Sequence, residues 1–135
     1  MRRSAGVLAA AVLGLSVAMV LAGCATKSAA RLELTKKDSG STQTLSVGQE
    51  LRITLDSNPT TGYQWAVDGE VPPQLEQAGV PKYAARSGAL GAGGTEVWTF
   101  SAVSSGEGPL ELKYWRSFEP SATPAETFHV TVRVK

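Results

Sequence analysis

An all-β fold is what the sequence predicts, and three observations carry it. Several segments of about four to eight residues alternate apolar and polar side chains with period two, the pattern of half-buried strands. Gly supplies 14 and Pro 7 of the 135 residues, which favours a loop-rich fold over a helical bundle. No segment sustains a helical period with caps, and Gln74 to Val80 is one helical turn at most.

The strands follow in chain order. Leu32 and Leu34 face one way, with Glu33 and Thr35 opposite. Leu45 and Val47 form a short pair, then Gly48-Gln49 makes a tight turn into Leu51, Ile53 and Leu55. Tyr63, Trp65 and Val67 alternate with Gln64 and Ala66. Trp98, Phe100 and Ala102 share one face of the next strand, and Leu110, Leu112 and Tyr114 share one face of the strand after it. Phe128, Val130, Val132 and Val134 alternate with His129, Thr131, Arg133 and Lys135. About seven such strands suit an immunoglobulin-like antiparallel β-sandwich, which buries one face of each strand. Trp65, Trp98, Phe100, Leu112, Tyr114 and Phe128 are its expected bulky core. Lacking a second Cys, such a sandwich must be held by its apolar faces and not by a disulfide.

The N-terminus predicts processing. Arg2 and Arg3 precede an apolar run from Ala5 to Ala22 that ends in Leu21-Ala22-Gly23-Cys24. This ending resembles the lipobox of bacterial lipoproteins, whose cysteine thiol takes a diacylglycerol before cleavage. The resemblance implies a signal peptide over residues 1–23, with the lipidated Cys24 and a short tether over 24–31. A domain over 32–135 follows. Two or three acyl chains on Cys24 give stable membrane attachment. Ala25 after the cysteine implies an outer membrane facing the periplasm, or the outer face of a plasma membrane in a single-membraned cell.

Charge and composition exclude several functions. A formal charge of +1 lacks the basic excess of a nucleic-acid binder. One Cys and one His leave no cluster for a metal, and no cofactor is expected. His129 sits on a polar strand face with no nucleophile or acid arranged beside it, so a hydrolase has little to stand on.

Three segments are more than turns. Ser57-Asn58-Pro59-Thr60-Thr61-Gly62-Tyr63 has a capping Asn, a φ-fixing Pro and a Gly suited to positive φ. The segment from Ser87 to Thr95 is glycine-rich, yet it lacks the Gly-Lys-Ser/Thr ending of a phosphate loop. Tyr114 to Pro120 places Trp115 and Phe118 around Arg116, a composition common in interface anchors. Ordinary connecting loops, with both aromatics folded back on the sandwich edge, are the plain alternative.

Taken in order, the three segments resemble the chagasin family of inhibitors of papain-like cysteine peptidases. Asn58-Pro59-Thr60-Thr61-Gly62-Tyr63 with Trp65 matches the first signature. Gly91-Ala92-Gly93-Gly94-Thr95-Glu96 with Trp98 and Phe100 matches the second. Tyr114-Trp115-Arg116-Ser117-Phe118-Glu119 follows the third, with Ser117 and Phe118 where the family has Pro-Trp. The resemblance implies a reversible, non-covalent inhibitor, a monomer and not an enzyme, whose partner is a papain-like cysteine peptidase. It puts Asn58 to Tyr63 in the peptidase cleft, with Thr60 or Thr61 near the catalytic cysteine. Gly91, Ala92, Gly93 and Gly94 would flank one side, and Trp115, Arg116, Ser117 and Phe118 the other. The altered third loop leaves a second reading, a non-inhibitory envelope-binding or assembly module on the same scaffold.

Overall fold

The period-two segments fold as strands in a computed structural model that describes residues 30–135. They are β1 (Leu32–Thr35), β2 (Thr42–Leu45), β3 (Glu50–Ser57), β4 (Gln64–Val67), β5 (Leu75–Gln77), β6 (Lys82–Ala85), β7 (Gly94–Ala102), β8 (Gly106–Trp115) and β9 (Glu126–Val134). Two 3₁₀ turns lie between them, at Lys36–Asp38 and Pro59–Thr61. The expected signal peptide and Cys24 lie outside the described residues.

One sheet runs β1-β3-β7-β5, with β6 also paired to β7; the other runs β2-β9-β8-β4. The sandwich is thus all-β and immunoglobulin-like, as expected, but it is not wholly antiparallel. β1 pairs with β3, and β2 with β9, in parallel. The cause is connectivity. The chain crosses from the first sheet at β1 to the second at β2 and back at β3, so β1 and β3 meet without a hairpin reversal.

The inward faces are those the alternation marks. Leu51, Ile53, Leu55, Trp98, Phe100, Leu110, Leu112, Phe128, Val130 and Val132 are buried in one cluster that also takes Trp65. Each large side chain so buried contributes about 1.5–3 kcal/mol of hydrophobic free energy. Tyr114 departs from the expected core: it packs against the cluster only partly buried, with its hydroxyl turned to a loop.

Three segments differ from the sequence pattern. Val47 is exposed, because β2 ends at Leu45 and Ser46 to Gln49 form the turn closed by the Gln49 amide on the Ser46 carbonyl. The stretch around Gln74 is no helical turn. Leu75 is buried and pairs with Ala102, and Gln74 Nε2 donates to the Val132 carbonyl at 3.0 Å, which ties the two sheets together. Burial of Gln74 and Leu75 outweighs the weak local preference of this short segment. β6 carries no alternation at all, since every one of its side chains is exposed.

Register gives the sandwich two unlike ends. Ser57 pairs with Gly94, Ala85 with Gly94, Gln64 with Trp115 and Tyr114 with Glu126. The connections β3–β4, β6–β7 and β8–β9 therefore share one end. Leu32, beside Leu51 at the start of β3, and Val134, opposite Gly106, lie at the other.

Candidate functional site

The β3–β4 loop is ordered by its own polar groups. Asn58 Oδ1 accepts from the Thr60 amide at 3.2 Å and the Thr60 hydroxyl at 2.5 Å. Thr61 Oγ1 donates to the Asn58 carbonyl at 2.7 Å. Pro59 opens the 3₁₀ turn and Gly62 closes it in the left-handed region, at φ 77°, as the sequence predicts. Pro59, Thr60 and Thr61 stand exposed at the tip.

Its neighbours are tied to this loop through its backbone and the Asn58 side chain. The Asn58 amide donates to Tyr114 Oη at 2.8 Å, and Asn58 Nδ2 donates to the Gly91 carbonyl at 3.1 Å. Arg116 Nε donates to the Thr61 carbonyl at 3.2 Å. The Arg116 guanidinium also lies 4.3 Å over the Tyr63 ring and 3.6 Å from the Glu119 carboxylate. Arg116 is thus a strut between the first and third loops as well as a member of the third. Tyr63 stacks on Tyr114 at 5.3 Å, and Tyr114 on Trp65 at 5.1 Å, so an aromatic column backs the loop.

In the glycine-rich loop, the Arg86 amide donates to the Gly93 carbonyl at 3.0 Å and closes the base. Gly94 lies so close to β6 that an added Cβ would sit 2.0 Å from the Ala84 carbonyl oxygen. Gly91, Ala92 and Leu90 are exposed, and Gly93 packs near the Ser57 carbonyl. The third loop sets Phe118 over Gly62, with its ring 3.1 Å from where a Cβ would be. Phe118 nevertheless remains 67% exposed, and Ser117 is exposed beside it. Trp115 is not in the loop. It is the last residue of β8, half-buried, with Lys113 Nζ 4.2 Å over its ring.

Three residues take places here that the sequence reading did not assign to them. Tyr114 was legible as a core residue and as the first residue of the third signature, but not as the partner of Asn58. Leu90, fully exposed in the glycine-rich loop, belongs to no alternating segment. Glu96 points inward, half-buried, and accepts from Trp98 Nε1 at 3.0 Å, from Ser57 Oγ at 3.2 Å and from the Trp65 backbone. Burial pushes its carboxyl above the usual 4.5, against the pull of these three donors.

His129 is exposed on β9, its amide bonded to Ser39 Oγ. Among the described residues, no three His, Cys, Asp or Glu side chains gather as a metal site. The chemistry this end can perform is occlusion by a shaped surface.

Known proteins are similar to this chain over most of its described residues. The family model described as Chagasin family peptidase inhibitor matches residues 44–132. Chagasin of Trypanosoma cruzi is 34% identical over 105 residues, covering 75% of this chain and 96% of its own. Amoebiasin-1 of Entamoeba histolytica is 32% identical over 105 residues, covering 77% of this chain and 100% of its own. The crystal structure of a cysteine protease inhibitor from Entamoeba histolytica shares the fold, with TM-score 0.67 at 22% identity over 78% of this chain and 95% of that one.

These relatives correct the expected form and address. They are proteins of eukaryotic parasites, so the expectation of a bacterial lipoprotein, acylated on Cys24 and placed on an outer or plasma membrane, is overturned. The lipobox resemblance rested on a few residues around one cysteine, whereas the family match spans most of the domain. Among the described residues, no helix is long and apolar enough to cross a membrane.

Proposed function

We propose, on the premise that this chain belongs to the chagasin family of peptidase inhibitors, that its three-loop end fills the active-site cleft of a papain-like cysteine peptidase. The chain is a reversible, non-covalent inhibitor of such peptidases and not an enzyme. In this reading Pro59, Thr60 and Thr61 enter the cleft above the catalytic cysteine. Gly91 to Gly94 line one wall through their backbone, and Arg116, Ser117 and Phe118 line the other.

The observation that carries the assignment of residues is the Asn58 network. It joins the wedge loop to Gly91 on one side and Tyr114 on the other before any peptidase arrives. A wedge ordered in advance loses little conformational entropy on binding, so more of its contact energy appears as affinity. The tip holds no reactive group, and inhibition proceeds by exclusion of substrate and water.

Titration of papain with the chain tests this. The wild type should inhibit reversibly. Thr60→Arg and Thr61→Arg, each unchanged in circular dichroism, should raise the inhibition constant by roughly tenfold or more, the cost of about 1.4 kcal/mol of lost fit. Constants equal to the wild type would take the two threonines out of the cleft.

A further inference from the structure

Beside the three-loop end, a groove of about 580 Å³ opens along the flank of the sandwich. It lies between β4, the edge of one sheet, and the β5 and β6 edge of the other. Pro59 and Tyr63 of the wedge loop form part of its lining, so the groove continues from the proposed peptidase face. Trp65, Trp98 and Tyr83 supply further aromatic surface, and Glu96 supplies the only carboxylate of the lining.

That carboxylate has no cation. No Lys or Arg lines the groove, and none of the ion pairs among the described residues includes Glu96. Its three donors are an indole, a hydroxyl and a backbone amide, all neutral. A carboxylate offers about four lone-pair sites, so one direction remains open. A half-buried carboxylate without an opposite charge is an unfinished ion pair: burial alone lifts its carboxyl, and a cation placed beside it would draw it back down. Tyr83, an exposed ring of the lining, can attract a cation and cover an alkyl stem, whereas Tyr63 and Trp65 already stack on Tyr114 and lie under Arg116 and Lys36.

We propose that this groove receives a lysine or arginine side chain of the docked peptidase. The stem lies along Tyr83, and the charged head pairs with Glu96. This rests on the reading that the three-loop end engages a peptidase, because Pro59 and Tyr63 belong to both surfaces. It adds a contact on the flank, outside the three loops, and assigns to Glu96 a part in choosing among peptidases.

The probes are butylguanidinium and butylammonium chloride, with butanol and butyrate as neutral and anionic controls. Titrated into the isotopically labelled chain, the two cations should shift the indole N–H signals of Trp98 and Trp65 saturably, with dissociation constants in roughly the millimolar range. Butanol and butyrate should not. Glu96→Gln, which keeps the side-chain shape, should bind either cation at least about fivefold more weakly. In a papain titration, saturating butylguanidinium should raise the inhibition constant of the wild type about threefold over sodium chloride of equal ionic strength. Equal shifts from butanol, or wild-type binding by Glu96→Gln, overturn the cation site. Should Glu96→Gln fail to fold, the comparison of cations with butanol and butyrate on the wild type still decides the matter. Cation binding that leaves the inhibition constant unmoved overturns the peptidase as occupant. Failure of the wild type to inhibit papain without any probe strikes the three-loop reading instead.

Discussion

Tyr114 joins the core to the site through one atom. Its ring lies between Tyr63 and Trp65, and its hydroxyl meets both backbone groups of Asn58, accepting from the amide at 2.8 Å and facing the carbonyl at 3.4 Å. Tyr114→Phe keeps the stack and leaves the Asn58 amide without its partner. A net hydrogen bond contributes about 0.5–1.5 kcal/mol, so the inhibition constant for papain should rise about two- to tenfold. The check is the pair of inhibition constant and urea midpoint. A lower midpoint with an unchanged constant would place Tyr114 in the fold alone. The sequence shows Tyr114 at the end of an apolar alternation, which marks it as core. It cannot show the hydroxyl's partner, because Asn58 lies 56 residues away and meets it only once β3 and β8 occupy facing sheets. The three signatures, by contrast, are local strings. Asn58 as a cap and Gly62 at positive φ are legible because their partners lie within a few residues.

β6 shows the limit of periodicity for whole elements. Strands with one buried face announce themselves, and those facing the core on β3, β7, β8 and β9 were all legible. β6 buries no side chain and exists by backbone pairing with β7 alone. The signal that could have found it is Gly94, which has no room for a Cβ against Ala84. Gly94→Ala should push β6 from β7 and cost about 1–3 kcal/mol, the usual penalty of overpacking. Hydrogen exchange reads the result: amides of Lys82–Ala85 should lose protection before the β8–β9 pair does. Uniform protection across both would show that the strands accommodate the methyl group by moving together. Parallel pairing of β1 with β3 and of β2 with β9 was beyond the sequence for another reason. Alternation fixes which face of a strand is buried, not which way its neighbour runs.

At the scale of the molecule, Glu96 sits where the two sheets come together on the open flank, bonded to Ser57 and Trp98 of one sheet and Trp65 of the other. Burial raises its carboxyl above 4.5 in the folded state, so between 4.5 and the folded value the native chain holds more proton than the unfolded one. Its contribution to stability is therefore complete below 4.5 and is lost as pH rises through the folded value. Glu107 at the other end behaves oppositely: the Arg133 hydrogen bond and charge hold its carboxyl down, and that contribution is lost as pH falls. Glu96→Gln should remove only the first trend. Denaturant unfolding of both chains from pH 4 to 7 checks this, with the wild type losing stability relative to Glu96→Gln on the alkaline side. Parallel pH profiles for the two chains would show that Glu96 titrates as an ordinary surface acid.

The two unlike ends of the sandwich have a practical side. Ala30, the first described residue, and Lys135 both lie at the end away from the three loops. Cargo joined after Lys135, whether a fluorophore, a fusion partner or a solid support, hangs from the blunt end. A bead coated with the chain through its C-terminus would offer every wedge outward, as an affinity matrix that captures an active peptidase and releases it intact.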